Sequence, residues 1–263
     1  MRNRPGLKLA VLLGVSFMFR AEVAGASHTA RITNTDPFGW LFAIIVVTCG
    51  YVILSVIKYV LKKVRIKKLG ETARSLGLSY RSTANDDDCK LPSGCSLMDE
   101  GHDPAVANVL EVARTDELDL TLFDFSHKRG SEESKMIVSQ TVARIRAPLL
   151  KLPAFHLLPT IYGEDELTPV GIEISFPDSP KFSEKYFLRG EDEAALRRLF
   201  SPALRENLET LDYLTIDGAN DVLFIFSRGD RIKPAEIAAR IEQDKRIAAL
   251  FFEAQRLMGR AEP

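Results

Sequence analysis

The sequence predicts an α+β protein: one N-terminal transmembrane helix, then a cytosolic domain of antiparallel sheet packed with C-terminal helices. Three observations predict it. Gly39 to Leu61 is a run of 23 residues with a single charge, Lys58. Beyond it, runs of alternating apolar and polar residues are joined by short polar links, the pattern of hairpins. The C-terminal third then switches to helical spacing. Strands followed by helices, without strict alternation, favour an antiparallel sheet over a doubly wound one.

The apolar run is long enough for a hydrocarbon layer of ~30 Å at ~1.5 Å per residue. Trp40 and Tyr59 stand at its two ends, where interfacial aromatics belong. Lys62, Lys63, Arg65, Lys67 and Lys68 follow, with no acid before Glu71. The preceding stretch, residues 27–38, offers Arg31 and Asp36 alone. This asymmetry places residues 78–263 in the cytosol and the helix in the plasma (inner) membrane. The five bases also fit contact with anionic lipid head groups.

Residues 1–26 have the parts of a signal peptide: Arg2, Arg4 and Lys8, an apolar run from Leu9 to Phe19, then Ala24-Gly25-Ala26. An uncleaved segment lying in the interface is the rival reading. The expected order is therefore signal peptide 1–26, short external segment 27–38, transmembrane helix 39–61, basic juxtamembrane helix 62–77 and cytosolic domain 78–263.

The whole chain of 263 residues has a net charge of −1. That balance is an average of unlike parts. Residues 1–68 hold eleven bases and two acids, leaving 24 bases against 34 acids, net −10, in the remainder. So acidic a domain is a poor nucleic-acid binder. The 46% apolar content excludes wholesale disorder, and three cysteines exclude a disulfide scaffold.

Within the domain, Leu61–Leu76 continues the membrane helix with a stripe of Val64, Leu69, Ala73 and Leu76, ending at Gly77. Arg81 to Pro104 reads as a long loop. Ala105–Ala113, Leu118–Phe125 and Met136–Arg146 read as strands; Phe155–Tyr162, Val170–Phe176 and Tyr186–Leu188 read as shorter ones. Glu191–Phe200 is helical, and Ser201-Pro202 supplies a cap and first-turn proline for the next helix. Tyr213–Asp217 and Val222–Phe226 form a hairpin. The last helix starts at Pro234, with Ile237, Ile241, Ala248, Phe251, Ala254 and Met258 on one face.

The nucleotide, metal and hydrolase signatures G-x-G-x-x-G, G-x-x-x-x-G-K-[ST], H-E-x-x-H, C-x-x-C and G-x-S-x-G do not occur. The segment richest in metal-ligating side chains is 86–103, with Cys89, Cys95, His102 and Asp103. Five residues separate the two cysteines, a poor spacing for zinc, and the Asp86-Asp87-Asp88 triplet lacks a calcium loop's alternation. A solvated loop is the favoured reading. Asp124 and Ser126 share a strand face while His127 points away, so they make no nucleophile–base pair. His156 in an apolar strand reads as a hydrogen-bonded structural histidine. Glu164-Asp165-Glu166 and Glu191-Asp192-Glu193 read as turn and helix-start carboxylates.

Several stretches carry a resemblance: LGLSY at Leu76–Tyr80, Gly101-His102 with Asn108-Val109-Leu110, LTLFDF at Leu120–Phe125, LPAFHLLP at Leu152–Pro159 and FSEKYFLRGEDEAALRRLF at Phe182–Phe200. Together they resemble a family of uncharacterised bacterial membrane-anchored proteins with one N-terminal transmembrane helix and a cytosolic α+β domain. The resemblance implies that architecture over most of residues 60–255, and no activity or cofactor. The cysteine-bearing loop and the signal-like start lie outside it.

The function expected from the sequence is a non-catalytic binding or regulatory module on a single-pass anchor, with no cofactor. The alternatives are a hydrolase-like enzyme at the membrane surface or a metal-binding sensor, both using the 86–103 loop with Cys89, Cys95, His102 and Asp103. A structural subunit held by helix–helix contacts is a third, though Gly50 and Ser55 form no G-x-x-x-G.

Overall fold

The computed structural model describes residues 37–85, 88, 96–98, 101–130, 136–163 and 171–260. The signal-like segment, most of residues 27–38, Cys89, Cys95 and the Glu164-Asp165-Glu166 run lie outside the described residues. Contacts divide the chain into two units, Met1–Ile57 and Lys58–Pro263. In the first, the described residues are the start of helix α1 (Pro37–Ser75). From Trp40 to Ile57 every residue is exposed, and the apolar window has no buried share. A continuous exposed apolar surface of this length is untenable in water and natural in hydrocarbon. It is one apolar helix of membrane-spanning length.

The second unit is built on a nine-stranded sheet among the described residues. Its strands are β1 (Ser79–Thr83), β2 (His102–Arg114), β3 (Asp119–Arg129), β4 (Met136–Arg146), β5 (Leu152–Pro159), β6 (Ile172–Glu173), β7 (Tyr186–Gly190), β8 (Thr215–Asn220) and β9 (Val222–Phe226). The order across the sheet is β1-β2-β3-β4-β9-β8-β5-β7-β6, and every pairing is antiparallel. Short links produce the β2-β3-β4 meander and the β8-β9 hairpin, as the spacing predicts. The hairpin is tighter than expected. Ala219 pairs with Val222, and the left-handed Asn220 (φ 53°) and Asp221 make the turn.

The helices are α2 (Pro180–Lys185), α3 (Glu193–Leu199), α4 (Pro202–Thr210) and α5 (Ile237–Arg260). Asp192 caps α3 by accepting from the Ala195 N–H at 2.9 Å, and Ser201 caps α4 ahead of Pro202. One sheet face carries the main core. There Leu110, Leu122, Ile145, Leu157, Ile216 and Ile225 meet Leu69 and Ala73 of α1 and Leu196, Leu208, Ile247 and Phe251 of the later helices. Phe155, Phe200 and Phe251 stack at its centre, with ring centroids 5.1–6.1 Å apart. The α+β class is as the sequence predicts.

Two differences matter for function. First, 86–103 is not simply a solvated loop. Its described part includes a 3-10 turn, Ser96–Met98, that lays Leu97 on a second core of Val109, Phe123, Phe125, Val142, Val222, Phe224 and Phe226 on the opposite face. A lone Leu between polar residues carries no periodic signal. Second, β2 starts at His102, earlier than expected, because the β2–β3 register absorbs three shifts. One of them lies between Ala107 and Leu110 and includes Asn108 at φ 53°. Bulges break the alternation from which strand ends are read.

Helix α1 ends as the sequence predicts. Gly77 is left-handed (φ 69°), its N–H bonds the Arg74 carbonyl at 3.2 Å, and the Leu78 N–H bonds the Ala73 carbonyl at 2.8 Å. A Cβ at Gly77 would meet nothing within 4 Å, so the cost of substitution is conformational alone. Gly77→Ala is expected to lower domain stability by about 1 kcal/mol in thermal or urea denaturation. An unchanged midpoint would refute the capping role.

Candidate functional site: the helix–sheet junction

Arg65, Leu69 and Ala73 are spaced by four, so they lie on one face of α1. That face is turned to the sheet: Leu69 and Ala73 are each 1% exposed, and Arg65 is largely buried. Its guanidinium forks onto Asp124, Nε to Oδ2 and Nη2 to Oδ1, both at 2.7 Å. Nη1 donates to the Ile232 carbonyl at 2.9 Å. Asp124 also accepts from Asn108 Nδ2 at 2.8 Å and Thr141 Oγ1 at 3.0 Å. Tyr80 donates to Asn108 Oδ1 at 2.8 Å, and Thr141 Oγ1 accepts from the Ile232 N–H at 3.1 Å. Burial, with the Asp124 carboxylate adding to it and Arg65 opposing it, pushes the Tyr80 hydroxyl above its ordinary pKa, so it stays a donor.

The junction thus draws on α1, β1, β2, β3, β4 and the strand-to-helix link before α5. Asn108 reaches it because its bulged, left-handed backbone, which asparagine tolerates well, re-aims the side chain. The junction corrects the assignment of Arg65 to lipid contact, since its fork is committed to Asp124. Lys62, Lys63, Lys67 and Lys68 remain exposed, Lys67 with a long 3.9 Å contact to Glu71.

A second buried polar cluster lies on the opposite side of the sheet. Asp217 accepts from the Ser96 hydroxyl at 2.6 Å and the Ser96 N–H at 2.8 Å, and its other oxygen meets His156 Nδ1. Burial pushes Asp217 up, but attraction to the His156 ring and the bonds from Ser96 outweigh it and hold its pKa below the usual carboxylate range. The order is serine–aspartate–histidine, with the carboxylate in the middle. The hydroxyl therefore faces the carboxylate and not the imidazole, and the arrangement lacks the geometry of a serine–histidine–aspartate triad. His156 is the hydrogen-bonded histidine that its apolar strand suggests. Its Nε2 is buried without a partner among the described residues.

Of the sequence-derived candidates, His102 and Asp103 are exposed at the start of β2, and Asp103 pairs with Lys128 at 2.7 Å. Among the described residues no three His, Cys, Asp or Glu side chains converge as metal ligands. Asp124 and His127 point to opposite faces. His127 is buried beside Phe125, and desolvation, then Arg129 and Arg228, lower its pKa. Sequence reasoning missed the junction. Its signals were present: Asp124 sits inside the run LTLFDF, and Arg65 shares a helical stripe with Leu69 and Ala73.

No family model and no curated protein sequence matches the chain. Among solved structures, the fold is similar to the crystal structure of the mycobacterial trehalose monomycolate transport factor A, TtfA. The TM-score is 0.52 at 13% sequence identity, over 73% of this chain and 94% of that one. The likeness is one of fold.

Proposed function

We propose that the protein is a single-pass, non-catalytic accessory module whose cytosolic α+β domain binds a component of a membrane transport assembly. The observation that carries this reading is the Arg65–Asp124 junction, in which the basic continuation of an apolar helix is a structural part of the domain. Likeness of fold to a transport factor supports the choice of partner class. The buried clusters support the non-catalytic reading, since neither sets a hydroxyl against an imidazole. The positive charges beside the apolar helix support a plasma-membrane location with the domain in the cytosol. Lys62, Lys63, Lys67 and Lys68 would meet anionic head groups, at about 1 kcal/mol each. Membership of the family resembled in sequence fits the same architecture.

Proteolysis of oriented vesicles tests this. Residues 78–263 are expected to be digested in inverted vesicles and protected in right-side-out ones. The opposite pattern would overturn the topology and with it a cytosolic partner. Cross-linking of intact cells should then join the full chain to a multi-spanning membrane protein. Recovery of the chain without any such adduct would count against the accessory role.

A further inference from the structure

On the face of the sheet opposite the junction, near the end of β4, four arginines surround a cavity of about 350 Å³. The most buried of the four is Arg144. The β-ladder sets Arg144 opposite Thr121 and Arg146 opposite Asp119, so both arginines rise from the same face. Arg144 is 9% exposed, its Nε meets no hydrogen-bond partner, and no ion pair reaches it among the described residues. Of the other charges lining the cavity, all but Asp119 have an opposite charge as partner. Arg81 forks onto Asp88 at 2.7 Å and reaches Glu111 at 3.0 Å, and Arg114 shares Glu111 at 3.5 Å. Arg146 has a long 3.6 Å contact with Asp221, and Asp119 accepts from Thr121 at 2.9 Å.

A guanidinium buried without a counter-charge is costly unless something pairs with it. Among the described residues Arg81 and Arg114 hold Asp88 and Glu111, and Asp119 accepts from Thr121 alone; four guanidinium groups against three carboxylates leave the lining net positive, with no ion pair at Arg144 and a long one at Arg146. The planar fork of arginine matches two oxygens of a tetrahedral oxyanion, and Thr121 and Asn85 add polar groups on the walls. The volume suits a small group. We propose that this cavity is a phosphoryl-binding site centred on Arg144, filled by the phosphate of a soluble ester or of a lipid headgroup. The site is separate from the junction and does not depend on the membrane topology.

The test uses the full chain in phosphatidylcholine nanodiscs, titrated with inorganic phosphate at matched ionic strength, with chloride as the control. Phosphate is expected to raise the unfolding temperature of the domain in a saturable way. Arg144→Met should fold, because an apolar side chain replaces an unpaired buried charge. It should bind phosphate about tenfold or more weakly. Arg144→Lys, which keeps the charge and loses the fork, should fall between. If phosphatidate in the nanodisc suppresses the phosphate response, the ligand is a lipid headgroup; if it does not, a soluble phosphoester. A wild-type response no larger than chloride's, or equal responses in wild type, Arg144→Met and Arg144→Lys, overturns the site.

Discussion

Asp124→Ala is expected to destabilise the domain by about 3–5 kcal/mol, the usual cost of leaving a buried charge without its partner. Asp124 collects four donors within 3.0 Å, two from Arg65 and one each from Asn108 and Thr141. Alanine orphans all four at once, and the Arg65 guanidinium keeps only the Ile232 carbonyl and a 3.3 Å contact with Thr141. Arg65→Met should cost less, because Asp124 retains Asn108 and Thr141. The double variant should be more stable than Asp124→Ala alone, since it no longer buries an unpaired charge. A positive coupling energy from this cycle, measured by urea denaturation of the full chain in detergent, would show that the helix and the sheet are held by the pair itself. Additive costs, or a loss near 1 kcal/mol for Asp124→Ala, would reduce it to a surface ion pair. The comparison also separates two roles for the basic segment. Lys67→Ala and Lys68→Ala should leave domain stability within about 0.5 kcal/mol, because both side chains are exposed.

The parts of the fold governed by local chemistry were legible in the sequence. Met136–Arg146 has the expected bounds because alternation runs unbroken along it. Gly77 and Ser201-Pro202 mark helix ends because capping depends on one or two residues, while Pro234 opens a 3-10 turn, Pro234–Glu236, that leads into α5 at Ile237. What depends on distant partners was not legible. The pairing of β4 with β9, across a gap of some eighty residues, has no local signature. Leu97 looks like a loop residue until the second sheet face is known to need a cover. The sites follow the same division. Arg65 among five bases reads as a topology signal, and Asp124, from 59 residues further on, makes it structural. Arg144 looks like one polar residue in an alternating strand. Its character comes from the arginines and acids brought beside it from β1, β2 and the turn after β1.

The second large effect is a dependence of stability on pH carried by Asp244. This residue lies on the buried face of α5, between Ile241 and Ile247, and is fully buried. Oδ1 accepts from Arg240 Nε at 2.7 Å, while Oδ2 has no hydrogen-bond partner. Arg240 divides its donors, giving Nη2 to the Ile225 carbonyl at 2.9 Å. One bond does not replace the water lost on burial. Desolvation therefore wins over the pull of Arg240, and the Asp244 carboxyl is pushed up to about 6. The folded state then holds this proton more tightly than the unfolded chain, whose carboxyl titrates near 3.8. The contribution is complete below pH ~4, is lost as the pH rises through ~6, and is flat beyond. At ~1.4 kcal/mol per pH unit, roughly two units give a loss of about 3 kcal/mol. Depressed carboxylates such as Asp217 slope the other way, so the wild-type curve alone mixes opposing effects. The difference between Asp244→Asn and wild type isolates one of them. Unfolding free energies measured from pH 4 to pH 7 should diverge by about 2.5 kcal/mol in favour of the asparagine variant, whatever their offset at pH 4. Parallel curves would mean that Arg240 keeps Asp244 ionised throughout.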